Sequence, residues 1–266
     1  MPQTPSYQVF LWPGRGLVLS STIVATLHRH AALQLTLGLD GPFRVRPRGG
    51  SWRSTEVALL VSGAPHELDG QGRVQANFYV EPESQLGREL AAKFLGSNAL
   101  GLPPAEAFAK QRRGLLALSR RKGTAEEAWA VYKAVTGNLR GVELPGPAAD
   151  ERVVKALRIF RGLEDKHISA GDLAKQVFLS ESRLSHLFSE QLGMPIKRYL
   201  LWLKVVAACE RVNSDDNITQ AAQTAGFTDG AHLTHSLRHL IGVSPRTLFN
   251  NRSFVRIVTA PDPRAL

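Results

Sequence analysis

Two groups of side chains in this 266-residue sequence have the types and spacing to do chemistry. The first is His28-Arg29-His30, followed by Gln34 and, after the turn Ser62-Gly63-Ala64-Pro65, by His66. In an extended segment side chains two apart share a face, so His28 and His30 point the same way. Three such imidazoles could hold zinc, nickel or iron(II) through their nitrogens, or simply line the mouth of a barrel. The second group lies on two helical stretches. Ser182, Arg183, Ser185, His186 and Ser189 fall opposite Leu184 and Phe188 on a helix starting at Ser180. Gly230, Ala231, Thr234 and His235, flanked by Arg238 and His239, fall opposite Leu233 and Leu237 on the other. Arginine can bond guanine with two hydrogen bonds or grip a phosphate, alanine can touch a thymine methyl, and threonine or histidine can bond a base or a phosphate. Lys197, Arg198, Arg246 and Arg252, near helix starts or ends, suit phosphates, which position a protein without choosing sequence. Ser244-Pro245 reads as an N-cap with proline in the first turn, so that helix N-terminus also suits a phosphate.

No Ser-His-Asp arrangement, phosphate-binding glycine loop or spaced carboxylate pair accompanies these residues, so an enzyme is not expected. The basic runs Arg112-Arg113 and Arg120-Arg121-Lys122 read as a solvated helix face rather than a DNA contact. A net charge of +10 favours a polyanionic partner, but the excess is shared evenly between residues 1–150 and 151–266 and does not say which half binds it. With 43% hydrophobic and 21% charged residues the chain has a globular composition, long enough for two domains. Its single cysteine, Cys209, excludes an internal disulfide and cysteine-built metal sites and fits a reducing compartment. The longest apolar runs, such as Val57 to Val61, are far short of a bilayer span, and Met1 to Pro5 opens no secretory signal. A cytoplasmic protein with no membrane partner is expected.

The elements that must position these residues divide the chain in two. From Val9 to about Val80, short apolar runs such as Leu33 to Leu37 alternate with Gly-Pro, Gly-Gly and Asp-Gly turns, the texture of an all-β barrel or sandwich. Helical spacing then follows over Leu86 to Phe94, Pro104 to Leu118 and Ala125 to Leu139. Leu144-Pro145-Gly146-Pro147 cannot continue a helix and reads as a linker. Beyond it the sequence is helical until an extended stretch near Phe254 to Val258.

An internal repeat organises the second half. Asp172-Leu173-Ala174 through Ser180, then Leu184, Phe188, Leu192 and Gly193, is echoed by Gln220-Ala221-Ala222 through Thr228, then Leu233, Leu237, Ile241 and Gly242. Each copy reads as helix, tight turn, helix. Ser169 with Asp172 and Asn217 with Gln220 are capping-box pairs for the first helices, and Ser180 and Thr228 stand where the second helices need N-caps. Small Ala174 and Ala222 let the paired helices cross closely, a helix-turn-helix geometry. Between the copies Ile196 to Val212 is a helix with an apolar stripe of Tyr199, Leu200, Leu203, Val206 and Ala207. At 1.5 Å per residue it spans roughly 25 Å, near the roughly 34 Å between successive major-groove faces.

Residues from about 165 to 252 resemble the DNA-binding domain of the AraC/XylS family of bacterial transcription regulators. The likeness rests on Asp172-Leu173-Ala174, Ser182 to Phe188, Leu192-Gly193-Met194-Pro195, the linker helix, Ala225-Gly226-Phe227-Thr228-Asp229 and Gly242-Val243-Ser244-Pro245. The resemblance implies that Ser182, Ser185 and His186 face bases. Phenylalanine is usual in the family at Leu233 and Leu237, and hydrogen-bonding residues are frequent where Gly230 and Ala231 stand. The first unit is therefore expected to discriminate sequence and the second to anchor the backbone. The first half resembles the cupin barrel, whose metal sites take a His-x-His pair, a Glu and a later His; Gln34 stands in place of the carboxylate, so the resemblance implies an effector pocket, or simply a barrel mouth, lined by His28, His30, Gln34 and His66, with no metal and no cofactor expected and a metal on His28, His30 and His66 as the alternative.

The expected architecture is α+β in two domains. A cupin-like sensor and dimerisation domain spans 1–147, with a barrel over about 9–80 and helices over about 84–140. An all-α tandem helix-turn-helix domain spans 148–252, and a tail 253–266. The expected function is that of a transcription regulator binding a double-stranded DNA operator, tuned by a small-molecule effector, homodimeric through helices 86–139, and touching RNA polymerase if it activates. The rival expectations are a metal-dependent cupin enzyme fused to a DNA-binding domain, and a constitutive regulator whose barrel is purely structural.

Overall fold

A computed structural model describes residues 7–12, 15–21, 23–139, 149–163, 168–212, 218–242 and 255–259. The first half builds two sheets from β1 (Tyr7–Trp12), β2 (Arg15–Ser20), β3 (Val24–His28), β4 (Leu33–Gly38), β5 (Phe43–Pro47), β6 (Arg53–Thr55), β7 (Val57–Leu60), β8 (His66–Asp69), β9 (Gln75–Val80) and the short β10 (Leu100–Gly101). The large sheet has the order β10-β7-β4-β9-β2-β1 and continues into β11 (Val255–Thr259); the small one is β3-β8-β5-β6. All neighbours are antiparallel except β1 and β11, which run parallel.

The large sheet is covered on both faces, which explains why every residue of β4 and β7 is buried. On one face Leu33, Leu35, Leu37 and Phe78 pack against α1 (Gln85–Phe94), α2 (Ala109–Ser119) and α3 (Ala125–Leu139) through Leu90, Leu115 and Tyr132. Its other face meets the small sheet through Ala58, Leu60, Phe43 and Leu68. Period-two alternation turns Gln34 and Thr36 away from their leucine neighbours, and they hydrogen-bond with Asn77. The helix expected from Pro104 begins as a 3-10 turn at Ala105–Phe108, and α2 starts only at Ala109. Buried Phe108 is the pivot between them, out of helical geometry at φ −113° and ψ 4°.

The second half contains α4 (Glu151–Gly162), α5 (Ala170–Gln176), α6 (Glu181–Leu192), α7 (Ile196–Val212), α8 (Ile218–Thr224) and α9 (Gly230–Ile241). Ser169 and Ser180 cap α5 and α6 as expected, accepting from Asp172 N and Arg183 N. At α9 the cap is Asp229 and not Thr228: the carboxylate accepts from His232 N at 2.7 Å, and its charge suits the positive helix end. Asn217 lies outside the described residues, as does the expected linker Leu144-Pro145-Gly146-Pro147. Two cores form, one around Leu173, Leu184, Phe188 and Phe160, the other around Ala222, Leu233, Leu237 and Val205. The helical texture ends at Gly242 among the described residues, and within the expected tail the extended stretch expected near Phe254 to Val258 is β11. Its backbone pairs with β1 from Tyr7↔Val255 to Leu11↔Thr259, so the C-terminal segment returns to the first sheet. No helix among the described residues is long and apolar enough to cross a membrane.

Candidate nucleic-acid interface and interdomain cavity

Burial of the apolar sides of α6 and α9 decides which side chains remain outside. Leu184 and Phe188 are buried, leaving Ser182, Arg183 and His186 exposed and Ser185 and Ser189 half-buried. Leu233 and Leu237 are buried in the same way, leaving Ala231, His235, Arg238 and His239 exposed and Gly230 and Thr234 half-buried. In the first turn of α7 Lys197 is exposed and Arg198 half-buried. Arg246, Arg252 and Ser244-Pro245 lie outside the described residues. The only partner close to His186 by charge is Glu190 at 3.9 Å, an exposed i,i+4 pair worth little among the described residues. Both faces can therefore exchange hydrogen bonds with a polyanion without first breaking a buried contact.

Both helices also end on the barrel. Gly193 and Gly242 are their C-caps, in the left-handed region at φ +72° and +75°. Carbonyls in a last helical turn lack intrahelical donors, and here the barrel supplies them. Ser62 Oγ donates to Leu192 O at 2.7 Å. Thr26 N and Oγ1 donate to Gly242 O at 3.1 and 3.3 Å, and Arg29 N to His239 O at 3.1 Å. Neither interface has room for a side chain: a Cβ on Gly193 would lie 2.6 Å from Ser62 O, and one on Gly242 2.6 Å from His28 Nδ1.

A cavity of about 310 Å³ opens between the domains. Val9 and Val18 of the barrel, Trp202, Val206 and Cys209 of α7 and Ile241 of α9 give it apolar walls, while His28, Gln34, Asn77 and Tyr79 contribute polar groups. Its charged lining is largely self-neutralised: Arg161 lies 2.5 Å from carboxylate oxygens of both Glu81 and Glu83 and donates to Tyr199 Oη at 3.2 Å. Although burial opposes it, the contacts with Tyr199, Glu81 and Glu83 hold the guanidinium charged, above its ordinary pKa. Tyr79 and Tyr199 are pushed well above the usual phenol range by burial.

His28, His30 and His66 come together beside this cavity. Cross-strand register places His28 opposite His66, and the ring centroids lie 4.2 Å (His28–His66), 5.2 Å (His30–His66) and 5.7 Å (His28–His30) apart. All three are buried, at 4%, 1% and 0% exposure for His28, His30 and His66. Burial, with the charge of His30, lowers the His28 pKa to about 3; burial lowers His30, and burial with the other two rings takes His66 well below its ordinary value. The rings are neutral at physiological pH. Gln34 joins them through His30 Nε2, 2.6 Å from its Oε1.

Arg112 pairs with Glu56 at 2.5 Å and Arg121 with Glu127 at 2.8 Å, so one arginine of each basic run is tied to the first domain's own acids. Sequence reasoning treated α7 as a spacer and missed that its Tyr199 and Trp202 wall the cavity, together with Arg161 of α4 in the same lining. The signal was present: Leu200 to Leu203 followed by Val205 to Ala208 makes this helix apolar almost all round, the mark of burial on more than one side. Also missed were His232, exposed in the first turn of α9 with Nδ1 3.2 Å from Thr228 Oγ1, and Phe178, which is 87% exposed at φ +58° with Lys155 Nζ 5.0 Å from its ring.

Residues 173–251 match the helix-turn-helix domain family. Over 84 residues the chain is 32% identical to the HTH-type transcriptional activator RhaS of Pectobacterium atrosepticum, covering 31% of this chain and 30% of that one. Over 105 residues it is 30% identical to the arabinose operon regulatory protein of Salmonella typhimurium, covering 37% and 36%. The chain thus spans about a third of the length of these relatives. Its whole fold is similar to that of ToxT from Vibrio cholerae, with a TM-score of 0.57, 10% identity, and coverage of 88% of this chain and 96% of that one. ToxT is also described bound to an unsaturated fatty acid, a structure matched with a TM-score of 0.51 at 9% identity over 85% of this chain and 89% of that one.

Proposed function

We infer that this chain, which carries an AraC/XylS-type helix-turn-helix domain in its second half, is a sequence-specific DNA-binding transcription regulator whose first half senses a small molecule. The observation that carries this is the pair of helix-turn-helix units joined by α7, each with its apolar side buried and its polar side outward. Ser182, Arg183, Ser185, His186 and Ser189 would read bases in one major groove. Gly230, Ala231, Thr234, His235 and Arg238 would lie along the next, with Lys197 and Arg246 on phosphates. The effector would occupy the interdomain cavity, against His28 and Gln34 on one side and Trp202 on the other. Such a molecule bridges the barrel and both units, so it can favour one arrangement of the reading helices over another, the differential affinity that a population shift requires.

The domain plan follows: a cupin-like sensor domain to about residue 147, a DNA-binding domain to about 252, and a tail whose strand adds to the first domain. The chain acts in the cytoplasm as a homodimer through α1–α3, contacts RNA polymerase if it activates, and is not an enzyme. Selection of bound fragments from randomised and genomic DNA by the full-length protein, at a stated near-physiological salt, tests this. The expected product is a site with two conserved blocks about one helical turn, roughly 10 base pairs, apart. A single block, or no enrichment over non-specific DNA with and without cell metabolites, overturns it.

A further inference from the structure

We propose that Arg29 and Arg48 of the barrel, together with Lys197 and Arg198 of α7, form one continuous grip on the phosphate backbone of duplex DNA, so that the first domain itself takes part in DNA binding. The backbone gathers the four cations around a single turn, 62–65. Gly63 N donates to His30 O at 2.9 Å, next to Arg29, and Arg48 N donates to Pro65 O at 2.8 Å, so the turn lies between the two arginines. The same turn meets the start of α7. Ser62 Oγ donates to Leu192 O at 2.7 Å, and Gly63 packs against Gly193 O with no room for a Cβ. Lys197 and Arg198 follow in the first turn of α7, where Arg198 N donates to Pro195 O at 3.0 Å.

These cations stand without counter-ions. Elsewhere the first domain pairs its arginines, Arg44 with Asp69 at 2.6 Å, Arg46 with Glu67 and Arg112 with Glu56. Arg29, Arg48, Lys197 and Arg198 have no acidic partner among the described residues. Arg48 and Lys197 are exposed, and Arg29 and Arg198 half-buried. Burial, then the like charges of Arg198 and Arg48, hold Arg29 below its ordinary guanidinium value. An anion lying across the three guanidinium groups replaces that repulsion with attraction, and their planar forks match phosphate oxygens two at a time. Such a grip also gives a use to the positive excess of the first half, which DNA contacts confined to the second half leave idle.

The anion is a DNA backbone rather than a free phosphate because the patch continues both reading surfaces. Arg29 N donates to His239 O at 3.1 Å, so Arg29 follows directly on the exposed side of α9, where Ala231, His235, Arg238 and His239 lie and the rings of His235 and His239 are 4.3 Å apart. At its other end Lys197 and Arg198 join the patch to the C-cap of α6. The inference rests on the regulator reading. Because the grip spans the seam, DNA affinity depends on how the barrel docks against α7 and α9, which is where the cavity lies.

The test measures binding of the full-length protein to a selected site and to a random-sequence duplex across a salt series. Each phosphate neutralised contributes about 0.9 to the slope of log affinity against log salt. Arg48→Gln is expected to make the slope shallower by about 0.9, and Arg29→Gln combined with Arg48→Gln by about 1.8, on both duplexes alike, while Arg48→Lys keeps it. Arg113→Gln removes the same charge from α2, on the opposite face of the large sheet, and is expected to leave the slope unchanged. A slope for Arg48→Gln within about 0.3 of the wild type, or an equal loss in Arg113→Gln, overturns the grip. If the double variant fails to fold, Arg48→Gln and Arg48→Lys decide, since Arg48 is exposed. Inorganic phosphate that raises the melting temperature of the wild type but not of Arg48→Gln, with the DNA slope unmoved, assigns the cations to a free anion and overturns the DNA contact. Failure to select a specific site overturns the regulator reading, while the slope on random-sequence duplex still judges the arginines.

Discussion

Lowering the pH from 7.5 to 5.5 without added metal loads protons onto His28, His30 and His66 in the unfolded chain while the fold keeps them neutral. Their folded pKa values lie below the ordinary value near 6.5, at about 3 for His28. The unfolded chain therefore binds more protons, and stability falls as pH falls below about 6.5, continuing to about 3 for His28. Each histidine that stays neutral loses about 1.4 kcal/mol over this interval, the worth of one pH unit below the unfolded pKa. For His28, whose folded value of about 3 lies far below this interval, the full amount of about 1.4 kcal/mol is lost, and burial of His30 and His66 adds to the loss in the same direction, against the roughly 5–15 kcal/mol that holds a domain together. Urea unfolding followed by tryptophan fluorescence, in chelator at both pH values, reads the loss as a shifted midpoint at constant slope. In His66→Gln the loss is expected to shrink. A midpoint that stays within the equivalent of about 0.5 kcal/mol, or rises on acidification, refutes the burial argument.

Arg161→Met leaves Glu81 and Glu83 facing each other without their cation, with Glu83 only 7% exposed. Because the arginine is itself 36% exposed, about 2–3 kcal/mol is expected rather than the full cost of a buried pair, partly restored by Glu83→Gln in a chemical-denaturation cycle. Gly193→Ala and Gly242→Ala combine left-handed strain of about 1–2 kcal/mol with the clash against Ser62 O or His28 Nδ1. Both should lower the melting temperature, whereas Gly114→Ala in α2, with open space around it, should raise stability by about 0.5–1 kcal/mol. On a selected DNA site Arg183→Ala and His186→Ala should relax base preference, each by about 1–3 kcal/mol at the contacted position, while His235→Ala weakens all sequences alike. Competition binding against single-base variants checks this, and changed preferences for His235→Ala alone would reverse the roles of the two units.

What the sequence by itself determined is local. The helix-turn-helix repeat was legible because its determinants lie within a few residues of each other: Ser169 and Ser180 as caps, Leu184 with Phe188 and Leu233 with Leu237 one turn apart, and Gly193 and Gly242 at the ends. The bounds of α3 and α7 followed from periodicity alone, since 3.6-residue spacing is a property of the segment. Capping could mislead by one residue, as at Thr228 and Asp229, where two adjacent side chains both offer an acceptor and the stronger one wins. What only the tertiary structure decided is every contact whose partners are far apart in the chain. The pairing of β11 with β1, the docking of both C-cap glycines on the barrel and the place of α7 in the cavity wall leave no periodic trace. They depend on which of many apolar and hydrogen-bonding surfaces fit together once each segment has formed, and that choice is a sum of weak non-local terms that no short stretch of residues encodes.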